Sequence, residues 1–250
     1  MDDTRQRTVV KERRSGSVSG RIVERWVINF RMRPDDAAAL VPVPWLRPLP
    51  VEGDVIWSYC PYVIADLHYG AVPLRRAPMV FAAGRLSVVD VNDPKGATVA
   101  WVPGRVGAHR SVGPVARTLL RLPFGSVDVS LSTPPGVRRL AIGGRRGAAV
   151  FAASLDDTDL DEHVGAPDAN TKFATTSAFE TFFACTTSWA PGTCSRSVAR
   201  LELDAHGTAW RRVTASAVSG SAVPRAAVLD SAFHGTGGTY RWVRREQVAV

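Results

Sequence analysis

Apolar and polar residues alternate along most of this chain, and the period is two far more often than that of a helix. In RIVERWVINFRM, Trp26, Ile28 and Phe30 fall on one side and polar residues on the other, the pattern of a half-buried strand starting near Ile22. Pro34 with Asp35 and Asp36 then opens AAAL as a helical turn, since proline suits a first helical position and acids suit the N-terminal dipole. The segment DVIWSYCPYVIAD, rich in aromatic and β-branched residues, predicts a strand with Pro61 at a bulge or an edge. Two further runs, 84–90 and 97–102, flank NDPKG, whose residues supply turn dihedrals, so together they predict a β-hairpin.

Helical spacing returns in SVGPVARTLLRL, where Ser111 is placed to cap and Pro123 to stop one helix of about three turns. SVDVSLS, VRRLAIGG and GAAVFAAS follow as a meander, and the acidic stretch DDTDLDEHVGAPDAN reads as a solvated connection. FETFFACTTSW, CSRSVARLELD and TAWRRVTASAV predict successive antiparallel strands, and HGTGGTY a flexible loop before the last one. The class is therefore β-rich α+β. Residues 1–20 are expected to form a disordered basic tail and residues 21–250 one domain.

Composition narrows the function classes. A hydrophobic fraction of 45% and a charged fraction of 22% are those of a globular chain, and no apolar run approaches the roughly 20 residues that cross a bilayer. The first twenty residues lack a secretory apolar stretch, so a cytoplasmic protein without a membrane segment is expected. Cys60, Cys185 and Cys194 are expected to be reduced thiols, and neither they nor His68 and His163 have metal-ligand spacing; no metal and no cofactor are expected. The net charge of +8 is spread along the whole chain without a nucleic-acid reading motif, so nucleic acid is not the expected partner.

The order of elements resembles the DUF2071 family, uncharacterised proteins of the acetoacetate decarboxylase-like superfamily. The segments that carry the resemblance are WVINFRMRPDDAAALVP, VIWSYCPYVIADL, RLSVVDVNDPKGATVAWVPGRVGAHRSVGPVARTLLRLPF, RLELDAHGTAWRRVTASAV and RWVRREQVAV. The resemblance implies an acetoacetate decarboxylase-like closed β-barrel with one packed helix and an interior pocket, an architecture able to enclose one small ligand. It also implies a comparison with the parent decarboxylase chemistry, in which a buried lysine forms a Schiff base beside a second lysine. This chain has no adjacent lysine pair: Lys95 falls in the NDPKG turn, where it stays solvated and protonated, and Lys172 in NTKFATT has no better claim.

Other groups are candidates for the pocket. WVPGRVGAHRS brings Arg105, His109 and Arg110 to a strand end and helix start, where guanidinium forks and helix amides suit a carboxylate. The plainer reading, which we favour from sequence, leaves both arginines on the surface and His109 in a loop. Glu180, among the apolar residues of SAFETFF, is the candidate catalytic acid if it faces inward, with Arg105 as partner. Cys185 reads as a small buried hydrophobe. Two functions follow: a barrel that binds a small apolar or carboxylate-bearing molecule, or a lyase or hydrolase using Glu180 with Arg105 and His109. The absent lysine pair favours binding, with the enzyme as the alternative, and nothing in the sequence sets an oligomeric state.

Overall fold

The computed structural model describes residues 9–10, 17–91, 98–108, 124–132, 137–144, 149–156, 163–164, 187–190, 195–202 and 209–248. The strands are β1 (Val9–Val10), β2 (Ser17–Met32), β3 (Leu46–Pro48), β4 (Pro50–Val51), β5 (Asp54–Tyr69), β6 (Val72–Arg75), β7 (Met79–Asp90), β8 (Thr98–Gly107) and β9 (Phe124–Ser132). They continue as β10 (Val137–Gly144), β11 (Ala149–Asp156), β12 (His163–Val164), β13 (Thr187–Ala190), β14 (Ser195–Glu202), β15 (Ala209–Ser219), β16 (Val228–Thr236) and β17 (Thr239–Val248). One short helix, α1 (Pro34–Ala38), begins on the predicted proline with Asp35 and Asp36 in its first turn. The helix expected over 111–122 lies outside the described residues. No helix among those described is long and apolar enough to cross a membrane.

Four consecutive neighbours, β2, β5, β7 and β8, form a wall shared by two closed rings. On one side the pairing runs from β8 through β9, β10, β11, β15 and β16 back to β2, closing a nine-strand barrel. On the other it runs from β8 through β13, β14 and β17 back to β2. Closure removes sheet edges, and it encloses both faces of the shared wall.

The two enclosed faces differ in chemistry. Trp26, Trp57, Leu86 and Trp101 of the wall join Val127, Ile142, Phe151, Val213 and Ala232 from the remaining strands of the nine-strand ring in one apolar core. Every strand of that ring contributes, and Tyr59 stacks on Phe151 with ring centroids 4.3 Å apart. The alternate positions on the wall are mixed: Asn29, Ser58 and Ser87 are polar and fully buried, beside a smaller apolar cluster of Ile56, Ala83, Ala100 and Val102. The half-buried strand expected at residues 22–32 is thus buried on both faces, because a second ring covers the side that alternation alone would assign to solvent.

Several expectations change in detail. β2 begins at Ser17 rather than near Ile22, since Ser17–Arg21 pair with β17, and Val9–Val10 pair with the end of the same strand; the expected tail is in part strand. Pro61 occupies neither a bulge nor an edge: it pairs with Ala82 and falls between the Arg25↔Tyr62 and Ile28↔Tyr59 pairs, a gap that absorbs its missing N–H. The hairpin of β7 and β8 and the meander of β9, β10 and β11 are as predicted. β13 and β14 pair antiparallel, but β14 then joins β17, while β15 joins β11, β12 and β16. HGTGGTY is a tight connection and not a flexible loop: His234–Thr236 end β16, Thr239 starts β17, and Gly237 and Gly238 turn the chain with φ of 83° and 99°.

Candidate functional site

The polar ring owes its most consequential side chain to a bulge. Cross-strand partners share a face, and Leu86 pairs with Trp101 on the apolar side. Positions 101 and 105 have the same parity, so an uninterrupted strand would send Arg105 into that same apolar core. Between Gly84 and Leu86 the register shifts, with Val102 and Pro103 opposite Arg85, and Arg105 emerges paired with Ala83 on the opposite face. Pro103, which cannot donate to the ladder, sits at the irregularity.

Around Arg105 the polar face collects Arg25 from β2, Cys60 and Tyr62 from β5, Arg85 from β7 and Tyr240 from β17. Arg105 is 8% exposed and Cys60 3%, whereas Arg25, Tyr62, Arg85 and Tyr240 are half-buried. Arg25 donates Nε to Cys60 Sγ at 3.2 Å, and Arg85 Nη2 donates to Ser58 Oγ at 3.4 Å. An aromatic patch adjoins them: Tyr62 stacks on Phe81 at 5.6 Å, faces Tyr240 at 6.0 Å, and Phe81 meets Phe124 edge-on at 6.0 Å.

These groups feel one another electrostatically. Burial opposes the charge on Arg25, but the adjacent Cys60 and the tyrosines more than compensate and raise its pKa. Burial alone would push the Cys60 thiol up; the charges of Arg25 and Arg85 and the hydrogen bond from Arg25 reverse this and lower it. Arg105 is lowered, first by desolvation and also by the like charge of Arg85. Tyr62 and Tyr240 are raised, chiefly by burial, which keeps both phenols neutral.

Asn29 continues the same face one step along the wall, opposite Ser58. Its Nδ2 donates to Ser231 Oγ at 3.2 Å, and Ser231 Oγ donates to Asp230 Oδ2 at 2.7 Å. Arg31 closes this end by pairing with Asp230 at 2.6 Å and Glu52 at 3.0 Å. Asn29 Oδ1 is buried without a hydrogen-bond partner.

A second polar cluster lies at one end of the apolar barrel. Glu24 pairs with Arg138 of β10 and stands 3.5 Å from His234 Nε2, while the His234 ring stacks on Trp26 at 5.4 Å. A register shift at Ile22/Glu24 places Glu24 opposite Val63, on the apolar face, while the next residue, Arg25, faces the polar one.

Of the sequence candidates, Arg105 is in the polar interior and not on the surface, and it lies within β8 rather than at a strand end, because the strand runs through the bulge to Gly107. His109 and Glu180 lie outside the described residues, as do Arg110, Lys95, Lys172, Cys185 and Cys194. Sequence reasoning missed Arg25, Cys60, Tyr62, Arg85 and Tyr240. The available signal was phase: Arg25 shares parity with Asn29, and Arg85 with Phe81, Ala83 and Ser87, but one-sided burial was assumed.

No protein-family model matches the chain, and no curated relative does. Among solved structures, acetoacetate decarboxylase from Legionella pneumophila is 10% identical with a TM-score of 0.64, over 100% of this chain and 93% of that one. The enduracididine biosynthesis enzyme MppR complexed with pyruvate is 13% identical with a TM-score of 0.52, covering 93% and 89%. An acetoacetate decarboxylase-like enzyme from Sphingomonas wittichii RW1 is 11% identical with a TM-score of 0.59, covering 95% of each chain. Together with the ring closures, these matches show that the chain has the acetoacetate decarboxylase-like fold, a closed β-barrel with very little helix among the described residues.

Proposed function

We propose that the polar interior binds a small carboxylate-bearing molecule. The observation that carries this reading is the gathering of Arg25, Arg85 and Arg105 on one enclosed face beside the Tyr62, Phe81 and Tyr240 aromatic patch. Guanidinium groups pair with carboxylate oxygens through directed N–H donors, and they do so more strongly where water is scarce. The aromatic patch supplies an apolar surface for the rest of a small molecule, and the combination of a few convergent polar groups with aromatic walls is that of a ligand pocket. The pyruvate bound by one structural neighbour is a carboxylate of the size in question.

Thermal shift tests the reading, because a ligand that binds only the folded chain stabilises it by mass action, about 2.7 kcal/mol at 100 times Kd. Pyruvate and acetoacetate are expected to raise the melting temperature and their amides to leave it unchanged. Arg105→Ala is expected to abolish the shift while the far-ultraviolet spectrum stays that of a β protein. Equal shifts from acids and amides, or an undiminished shift in Arg105→Ala, would refute carboxylate binding at this face.

A further inference from the structure

The polar face holds one thiol among its described side chains. Cys60 projects from the centre of the shared wall, two residues from Ser58 and two from Tyr62, and so shares their face. We propose that Cys60 is the covalent nucleophile of this pocket, adding to the carbonyl carbon of an oxo acid whose carboxylate the arginines hold.

Three observations converge on this assignment. First, Arg25 Nε lies 3.2 Å from Cys60 Sγ, a charge-assisted contact that favours sulfur in its anionic form. The lowering of the thiol pKa by Arg25 and Arg85 agrees with the contact. Second, the same arginines that polarise the sulfur belong to the set expected to bind a carboxylate, which brings the electrophile and the nucleophile into one space. Third, Asn29 Oδ1 is a fully buried acceptor without a partner on that same face, opposite Ser58. An amide oxygen buried unpaired loses its hydration without compensation, and a ligand hydroxyl relieves that cost.

The step balances without an oxidant or a further co-reactant. The sulfur lone pair of the thiolate forms a C–S bond, the carbonyl π pair moves onto oxygen, and that oxygen takes one proton from water, giving a tetrahedral hemithioketal. The new O–H has Asn29 Oδ1 as an acceptor on its face, and Arg25, released from the sulfur charge, remains next to the carboxylate. The chain reaches a covalent adduct by this route without the paired lysines that a Schiff base requires.

The inference rests on carboxylate binding at the polar face, and the test separates the two. Pyruvate labelled with carbon-13 at the carbonyl is added to the full chain, with thermal shift recorded on the same sample. A new tetrahedral carbon signal, distinct from pyruvate hydrate and missing in both Cys60→Ala and Cys60→Ser, is the expected result. The stabilisation by pyruvate is expected to persist in part in those variants. A thermal shift accompanied only by the ketone and hydrate signals overturns Cys60 as nucleophile and leaves the binding reading intact. No thermal shift and no adduct overturns both. A second measurement leaves Cys60 in place: iodoacetamide labelling, resolved by peptide mass, is expected to modify Cys60 of wild type at pH 7 at least about tenfold faster than Cys60 of Arg25→Met. Equal rates overturn the role given to Arg25 in activating the sulfur.

Discussion

The two faces of one wall make a controlled comparison, since β2, β5, β7 and β8 supply both linings from alternate residues of the same strands. On one side Trp26, Trp57, Leu86 and Trp101 fill a barrel with close-packed apolar groups. On the other, Arg25, Cys60, Arg85 and Arg105 gather ionisable groups that burial disfavours. The apolar face drives folding by removing hydrocarbon from water. The guanidinium groups of the polar face oppose it, because they lose hydration there. A fold that keeps such a lining does so at a cost in stability, and sites for ligands are where that cost is commonly found.

The largest expected effect falls on the apolar side. Trp26→Ala removes one of the most deeply buried side chains and the stacking surface of His234, and it is expected to lower the unfolding free energy by about 3–5 kcal/mol in urea titration. Arg105→Ala, by contrast, is expected to be felt in ligand binding rather than in folding. A comparable loss of stability from both substitutions would break the division of labour between the faces.

Gly84 offers an intermediate test from within the wall. A Cβ at this position would overlap the Trp57 ring, standing 2.3 Å from its Cζ2. Gly84→Ala is expected to cost about 1–3 kcal/mol through displacement of that ring, with the midpoint of urea unfolding as the readout. Arg85 is the next residue, so a parallel loss of pyruvate stabilisation would show that packing on the apolar face fixes the geometry of the polar one.

The smallest effect concerns the ion cluster at the end of the apolar barrel. Hydrogen bonding with His234 holds Glu24 below the usual carboxylate range, against the opposing effect of burial and with help from the charge of Arg138. A carboxylate depressed in the folded state contributes stability that is fully present above its unfolded pKa, about 4.3. The contribution is lost as pH falls through the lower folded value. Wild type is therefore expected to lose stability below about pH 4.3 more steeply than Glu24→Gln, as measured by urea midpoints across that range. Identical slopes would show that the cluster contributes nothing to the acid limb.

Much of the fold was legible because strand formation is local. Alternation in RIVERWVINFRM, the runs flanking NDPKG and the short runs SVDVSLS, VRRLAIGG and GAAVFAAS named strands that the structure contains, with ends displaced by a few residues. The apolar lining was legible too: Trp26, Ile28 and Phe30 were assigned inward and are buried. The site was legible only at Arg105, and there the sequence favoured the surface.

What the sequence determined by itself is the register of chemistry along each strand: which positions are apolar, where prolines and glycines interrupt a ladder, and that no lysine pair is present. Tertiary structure decided which face each position serves. Alternation cannot distinguish a solvent-facing side from one covered by a second ring, because both accept polar residues, and it is the pairing of β13, β14 and β17 with the wall that covers it. A single extra residue at Pro103 then turns Arg105 from one interior to the other, since a period of two makes every one-residue shift a change of side.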